Sequence, residues 1–177
     1  MPARLLSAPG AEPVGLADAK AFLRLEHDAE DDLVPELIAA ARARVETMTR
    51  RVLVAQRWRL EVAVPADGSA IALKPRPVRE VEAVRLRLPD GSLETLDETL
   101  WSFDWAGERL TLAPSVPRGK RVEIDLAAGY GDPDQVPESL RLAVRRLTAD
   151  AFERRSGADG PPVDVSGFVD PYRDVRL

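Results

Sequence analysis

The chain has no cysteine and one histidine in 177 residues. The first absence removes disulfides, thiolate metal sites and cysteine nucleophiles together, and fits folding in a reducing compartment. The second leaves His27 as the one possible base of a Ser-His-Asp triad, and a histidine metal site there would have to be completed by carboxylates. Long apolar runs are also missing. No stretch could span a membrane, and Met1 to Pro13, broken by Pro2, Pro9, Gly10 and Pro13, does not read as a signal peptide. Basic residues are outnumbered by acidic ones, 25 to 30, and the net charge of -5 argues against a protein whose main task is to neutralise nucleic-acid phosphates.

What is present is a pattern of periods. Leu16, Ala19, Phe22 and Leu23 predict a short helix over Leu16 to Leu25, with Lys20 and Arg24 toward solvent. The acidic run from Glu26 to Asp32 then loads negative charge where the orphaned N–H groups of a helix start favour it. Leu33, Leu37, Ala41, Val45 and Met48, widened by Val34 and Ile38, predict a longer helix, and Pro35 is tolerable in its first turn. From Val52 the period becomes two. Trp58, Leu60, Val62 and Val64 alternate with Arg57, Arg59 and Glu61, Ile71 and Leu73 suggest a short strand, and Val84, Leu86 and Leu88 alternate with Arg85 and Arg87. Pro89-Asp90-Gly91-Ser92 is a hairpin signal, followed by strands at Leu93 to Leu96, Trp101 to Trp105, Arg109 to Leu112 and Val122 to Leu126. Pro137 and Glu138 open a last helix with the stripe Leu140, Val144, Leu147 and Ala151, closed by Arg154, Arg155 and Gly157.

The fold class that follows is α+β. Two N-terminal helices and one C-terminal helix form a small helical layer, residues 14–51 and 136–156. A small antiparallel sheet or barrel, residues 52–135, is inserted between them. Residues 1–13 read as an N-terminal extension. Residues 157–177, rich in glycine and proline, read as an extended C-terminal arm whose apolar content is bunched at its end.

No catalytic residue, cofactor or metal ligand is assigned, and the chain does not read as an enzyme. His27 lies among carboxylates that could recruit a divalent cation, yet an exposed residue at a helix entrance accounts for it without one. Asp132 and Asp134, between Gly131, Pro133 and Pro137, shape a turn. Gly129-Tyr130-Gly131 lacks the third glycine and the lysine of a phosphate loop. Trp58, Trp101 and Trp105 with Arg57, Arg59, Arg85 and Arg87 could form a stacking platform for single-stranded nucleic acid. Alternation puts the two sets on opposite faces, which predicts core tryptophans and a solvated basic face.

Several segments together resemble the head-tail connector (adaptor) proteins of long-tailed phages and gene transfer agents. They are Glu12 to Lys20, Leu23 to Asp28 with Asp31-Asp32-Leu33, Leu37 to Arg42, Arg51 to Trp58, Ala128 to Asp132, Val136-Pro137, Leu140 to Arg155 and Pro171-Tyr172-Arg173. The strands between Ala66 and Arg121 match in pattern only. One departure is Thr49-Arg50-Arg51 where the family's second helix leaves through Thr-Gly-Arg. A left-handed cap without glycine is strained, which predicts a different exit.

The resemblance implies a structural virion protein made in the bacterial cytoplasm. It would form a twelve-fold homo-oligomeric ring at the head-tail junction, between the portal and a tail stopper or terminator, and contribute to the DNA ejection channel. Its implied partners are other copies of itself, the portal, the next tail protein, and passing double-stranded DNA without sequence specificity; no membrane is involved. The implied portal-binding arm is Phe168, Val169, Pro171, Tyr172, Arg173, Val175, Arg176 and Leu177. Phe168, Tyr172 and Leu177 would be its anchors, and Arg173 and Arg176 would pair with acidic portal groups. The alternatives are another head-tail joining protein (stopper or tail terminator) or, outside virions, a small nucleic-acid-binding module.

Overall fold

The computed structural model describes residues 3–155 and 161–173. The chain divides into two compact units, Met1–Ala8 with Ala55–Gly129 and Pro9–Val54 with Tyr130–Leu177. The second is helical. It contains α1 (Leu16–Leu23), α2 (Leu33–Thr49), α3 (Glu138–Arg154) and a one-turn α4 (Ser166–Val169) that continues into a 3-10 turn, Asp170–Tyr172. Val34, Ile38, Ala41 and Val45 of α2 pack against Leu140, Ala143, Val144 and Leu147 of α3, with Val14, Ala19, Val165 and Val169 closing the core. Pro35 falls in the first turn of α2, where its missing N–H has no helical acceptor to lose.

Two helix features differ from expectation. Phe22, placed by its spacing on the buried face of α1, is 43% exposed, because it lies outside the arc that Leu16, Ala19 and Leu23 turn toward the core. Arg50 does adopt the left-handed cap, at φ 57 and ψ 29, despite its Cβ. The exit is secured locally. Thr49 Oγ1 accepts the Arg51 N–H at 3.2 Å, and Glu46 Oε1 accepts that of Leu53 at 2.9 Å, so these bonds hold the chain where glycine would otherwise relieve it. Replacing exposed Arg50 with glycine is therefore expected to raise stability by about 1 kcal/mol in denaturant unfolding. An unchanged or lowered midpoint would show that the left-handed arginine carries no strain.

Among the described residues, the other unit is built from eight strands: β1 (Ala3–Ser7), β2 (Gln56–Ala63), β3 (Ile71–Ala72), β4 (Val78–Arg87), β5 (Leu93–Thr95), β6 (Trp101–Asp104), β7 (Arg109–Leu112) and β8 (Arg121–Ala128). They form a five-stranded sheet in the order β1-β2-β8-β4-β5 and a three-stranded sheet in the order β3-β7-β6, antiparallel throughout. In the first sheet, Leu60 lies opposite Ile124, and Val84 pairs with Ile124 from the other side. These residues share one core with Ile71, Leu110 and Leu112 of the second sheet and with Leu73, which follows β3. Burying each such aliphatic side chain contributes about 1.5–3 kcal/mol. At the end of β8, Gly129 and Gly131 take φ values of 119 and 128, which side chains disfavour, and Tyr130 N–H bonds to Leu53 O at 2.9 Å.

Both chain ends depart from the sequence reading. Residues 3–7, read as part of an extension, form the edge strand β1, with Ala3 opposite Leu60 and Leu5 opposite Trp58. A short segment with no core of its own gained a strand by completing backbone bonds along β2. The described part of the arm is not extended. Val165 and Val169 are 2% and 0% exposed within the helical core. Gly157, the expected cap of α3, lies outside the described residues.

Candidate functional site

The arginines set beside the tryptophans do not form a solvated basic face. On the five-stranded sheet, Arg59 grips Asp125 with Nε–Oδ1 at 2.7 Å and Nη2–Oδ2 at 2.8 Å, and Arg85 Nη1 reaches the same carboxylate at 2.7 Å. Arg87 Nη2 bonds Glu123, and Arg57 holds Glu82 at 2.6–3.0 Å. Along β8, the period of two turns Glu123 and Asp125 away from Val122 and Ile124. Sequence alone could not say that β8 sits between β2 and β4, which brings two acids into rows of arginines. Glu123 and Asp125 are buried, and the hydrogen bond from Arg59, aided by Arg85, holds Asp125 below the usual carboxylate range. Charges already spent on partners have little left for phosphate.

The tryptophans divide. Trp58 and Trp101 pack against the β core, while Trp105, expected inside, is 61% exposed. Strand β6 ends at Asp104, so alternation stops before Trp105 and the chain turns. The sequence signal for that turn is an aspartate followed three residues later by Gly107, and it overrides the last position of the strand expected over Trp101 to Trp105. Asp104 accepts the N–H groups of Ala106 and Gly107 at 3.0 and 3.1 Å. Glu108 sits at φ 49, its Oε1 taking the Val78 N–H at 2.7 Å and its Oε2 pairing with Arg76 Nε at 2.9 Å. Phe103 meets Trp105 edge to face at 4.7 Å.

The helical unit presents a second surface feature. An open depression of about 260 Å³ is lined by Asp18, Ala21, Phe22 and Arg145. Arg145 is fixed by Glu138 at 2.7 Å, and Asp18 is 59% exposed with Arg141 3.9 Å away.

Of the arm residues, Val169 belongs to the helical core and Phe168 and Tyr172 pack against it. Arg146 stacks over the Phe168 ring at 4.9 Å, Tyr172 bonds Ser139 at 3.1 Å through its hydroxyl, and its carbonyl accepts Arg51 Nε at 2.7 Å. Pro171 and Arg173 are exposed. Val175, Arg176 and Leu177 lie outside the described residues. Three of the acids near His27 are drawn into ion pairs, with Lys20 bridging Asp28 and Asp31 at 2.6 and 2.7 Å and Arg155 gripping Glu30 at 2.6 Å. Lys20 pulls the Asp28 carboxyl down, and Arg155 that of Glu30. Asp132 joins a turn, its N–H bonded to Gln135 Oε1 at 3.0 Å.

Comparison with known proteins gives a family match and likenesses to solved structures. Residues 14–84 match the model of the phage gp6-like head-tail connector proteins. A chain in the neck of an empty gene transfer agent (GTA) particle, computed with C6 symmetry, is 30% identical over 100% of this chain and 97% of its own, with a TM-score of 0.84. A chain in a native GTA virion is 28% identical with the same coverage and TM-score, and one in a native GTA neck computed with C12 symmetry is 30% identical, again over 100% and 97%, at 0.77. No curated protein matches by sequence.

Proposed function

The chain belongs to the head-tail connector family and is a head-tail joining protein of a virion or gene-transfer-agent particle; from that premise we propose that it is the adaptor, a twelve-fold ring between the portal and the next tail protein. The observation that carries this reading is the match along the whole chain, both units included, to a chain of a particle neck computed with C12 symmetry. Two different patches on each copy meeting head to tail generate such a ring. The adaptor contributes to the channel for double-stranded DNA and contacts it without sequence specificity. A net charge of -5 per copy suits a conduit that must release phosphates rather than hold them.

The portal contact is assigned to the end of the chain, revised by where the arm residues lie. Phe168, Val169 and Tyr172 are engaged inside the helical unit, which leaves exposed Pro171 and Arg173 with Val175, Arg176 and Leu177 as the portal-facing set. Arg173 and Arg176 supply charge for acidic portal groups, and Val175 and Leu177 supply apolar anchors.

Deleting the gene should give DNA-filled heads and separate free tails in electron micrographs. Complementation with the full chain should restore joined particles, and a chain lacking Asp174–Leu177 should fold normally yet leave heads and tails apart. Normally tailed particles from the deletion strain would overturn the adaptor reading. Full rescue by the truncated chain would remove only the terminal residues from the portal contact.

A further inference from the structure

Among the described residues, only two aromatic side chains of the phenylalanine, tyrosine and tryptophan type are exposed, Trp105 and Phe22, at 61% and 43%. They sit on different units. The turn that carries Trp105 is locked more firmly than an idle loop requires. Asp104 caps two N–H groups, Arg76 Nη2 reaches Gly107 O at 3.2 Å, and Glu108 is kept in a left-handed conformation by its bonds to Val78 and Arg76. None of this buries the indole. A fixed, protruding aromatic has lost little freedom still to be lost on docking, which is how a preorganised anchor lowers the cost of association.

The depression on the helical unit has the chemistry an indole needs. Ala21 and the Phe22 ring offer apolar and edge-to-face contact, the Arg145 guanidinium, steadied by Glu138, can lie over a π face, and the exposed Asp18 carboxylate can accept the indole N–H. We propose that Trp105 of one copy seats in the Asp18–Ala21–Phe22–Arg145 depression of the next, forming the head-to-tail contact between neighbours. The proposal rests on the ring reading above. Knob and socket are different surfaces of the same chain, so each copy gives one and receives one, and the contact repeats around a closed ring instead of ending at a dimer.

The absence of native cysteine simplifies the test, since every thiol on this chain is an introduced one. Ala106→Cys places a thiol beside Trp105, and Ala17→Cys places one on the exposed surface next to Asp18. The doubly substituted chain, assembled on its portal and treated with a short bismaleimide, should give a ladder of covalent multimers. Neither single variant should do so. Adding Trp105→Ala should cut the ladder by about thirtyfold, the loss expected of an interface anchor. Because the indole is solvent-exposed, its melting temperature should be unchanged. Rings visible in class averages but without a ladder would overturn this contact and leave the adaptor reading standing. No rings on the portal would overturn both. A covalent dimer from Ala106→Cys alone would mean that tips meet tips, and would overturn the head-to-tail contact.

Discussion

Replacing Val169 with aspartate is expected to destabilise the helical unit by about 4 kcal/mol or more, a loss large enough to threaten folding. The residue belongs to a segment whose composition suggests a loose arm, yet its side chain is 0% exposed among α2, α3 and their neighbours. A carboxylate there would either ionise without a partner or take up a proton in an apolar site, and both states cost free energy. Val169→Ala removes only part of the side chain and should cost about 2 kcal/mol. Helical circular dichroism during denaturant unfolding reads both changes. If Val169→Asp unfolds at the wild-type midpoint, the terminal turn contributes nothing to the core and the arm is free. The same geometry explains why cutting the chain at Gly167 is a poor test of portal binding. That cut removes Val169 and the Tyr172 bonds to Ser139 and Arg51 along with any portal contact.

Converting Asp125 to asparagine should cost about 3 kcal/mol at neutral pH, because it leaves Arg59 and Arg85 facing an uncharged amide on a sheet where both were paired. The effect has a defined pH dependence. The folded carboxyl is held below its unfolded value by the arginines. Its contribution is therefore complete above the ordinary carboxylate range and is lost as pH falls through the depressed folded value. The gap between wild type and variant should be widest at neutral pH, begin to narrow as pH falls to about 4, and vanish only below the depressed folded value. Glu46 acts with the opposite sign, since burial pushes its carboxyl up and the resulting penalty is relieved as pH falls. Both proteins carry Glu46, so it cancels in the difference. Tryptophan fluorescence suits this measurement, because Trp58 lies opposite Leu126, next to Asp125 on β8. A gap that stays constant with pH would show that the ionised carboxylate is not the source of the stability.

Periodicity determined most of the fold class without help. The three-and-four spacing of Val34, Ile38, Ala41 and Val45, and of Leu140, Val144 and Leu147, is enough to identify two helices that must cover one another, since neither stripe has another way out of water. Alternation around Leu60, Val84 and Ile124 likewise identifies strands with one buried face. The turn at Pro89 to Ser92 was legible because glycine is what its geometry requires, and Gly91 takes φ 86. Family membership was legible too, from the order and spacing of segments along the chain.

Tertiary structure decided what periodicity does not encode. Strand order is one such matter. Only the placement of β8 between β2 and β4 converts arginines read as solvated into partners of Glu123 and Asp125. The fate of short apolar segments is another. Leu5 and Val169 each lie in stretches too small to form a core, and they are ordered by a neighbour that supplies the missing half, an unpaired strand edge for one and a gap between helices for the other. Exposure at the end of an element is the third. Trp105 and Phe22 are apolar residues at positions compatible with burial, and they face outward because β6 stops just before the first and the core-facing arc of α1 leaves out the second. A local pattern records which residues gain by leaving water, whereas what covers each of them depends on partners distant in sequence.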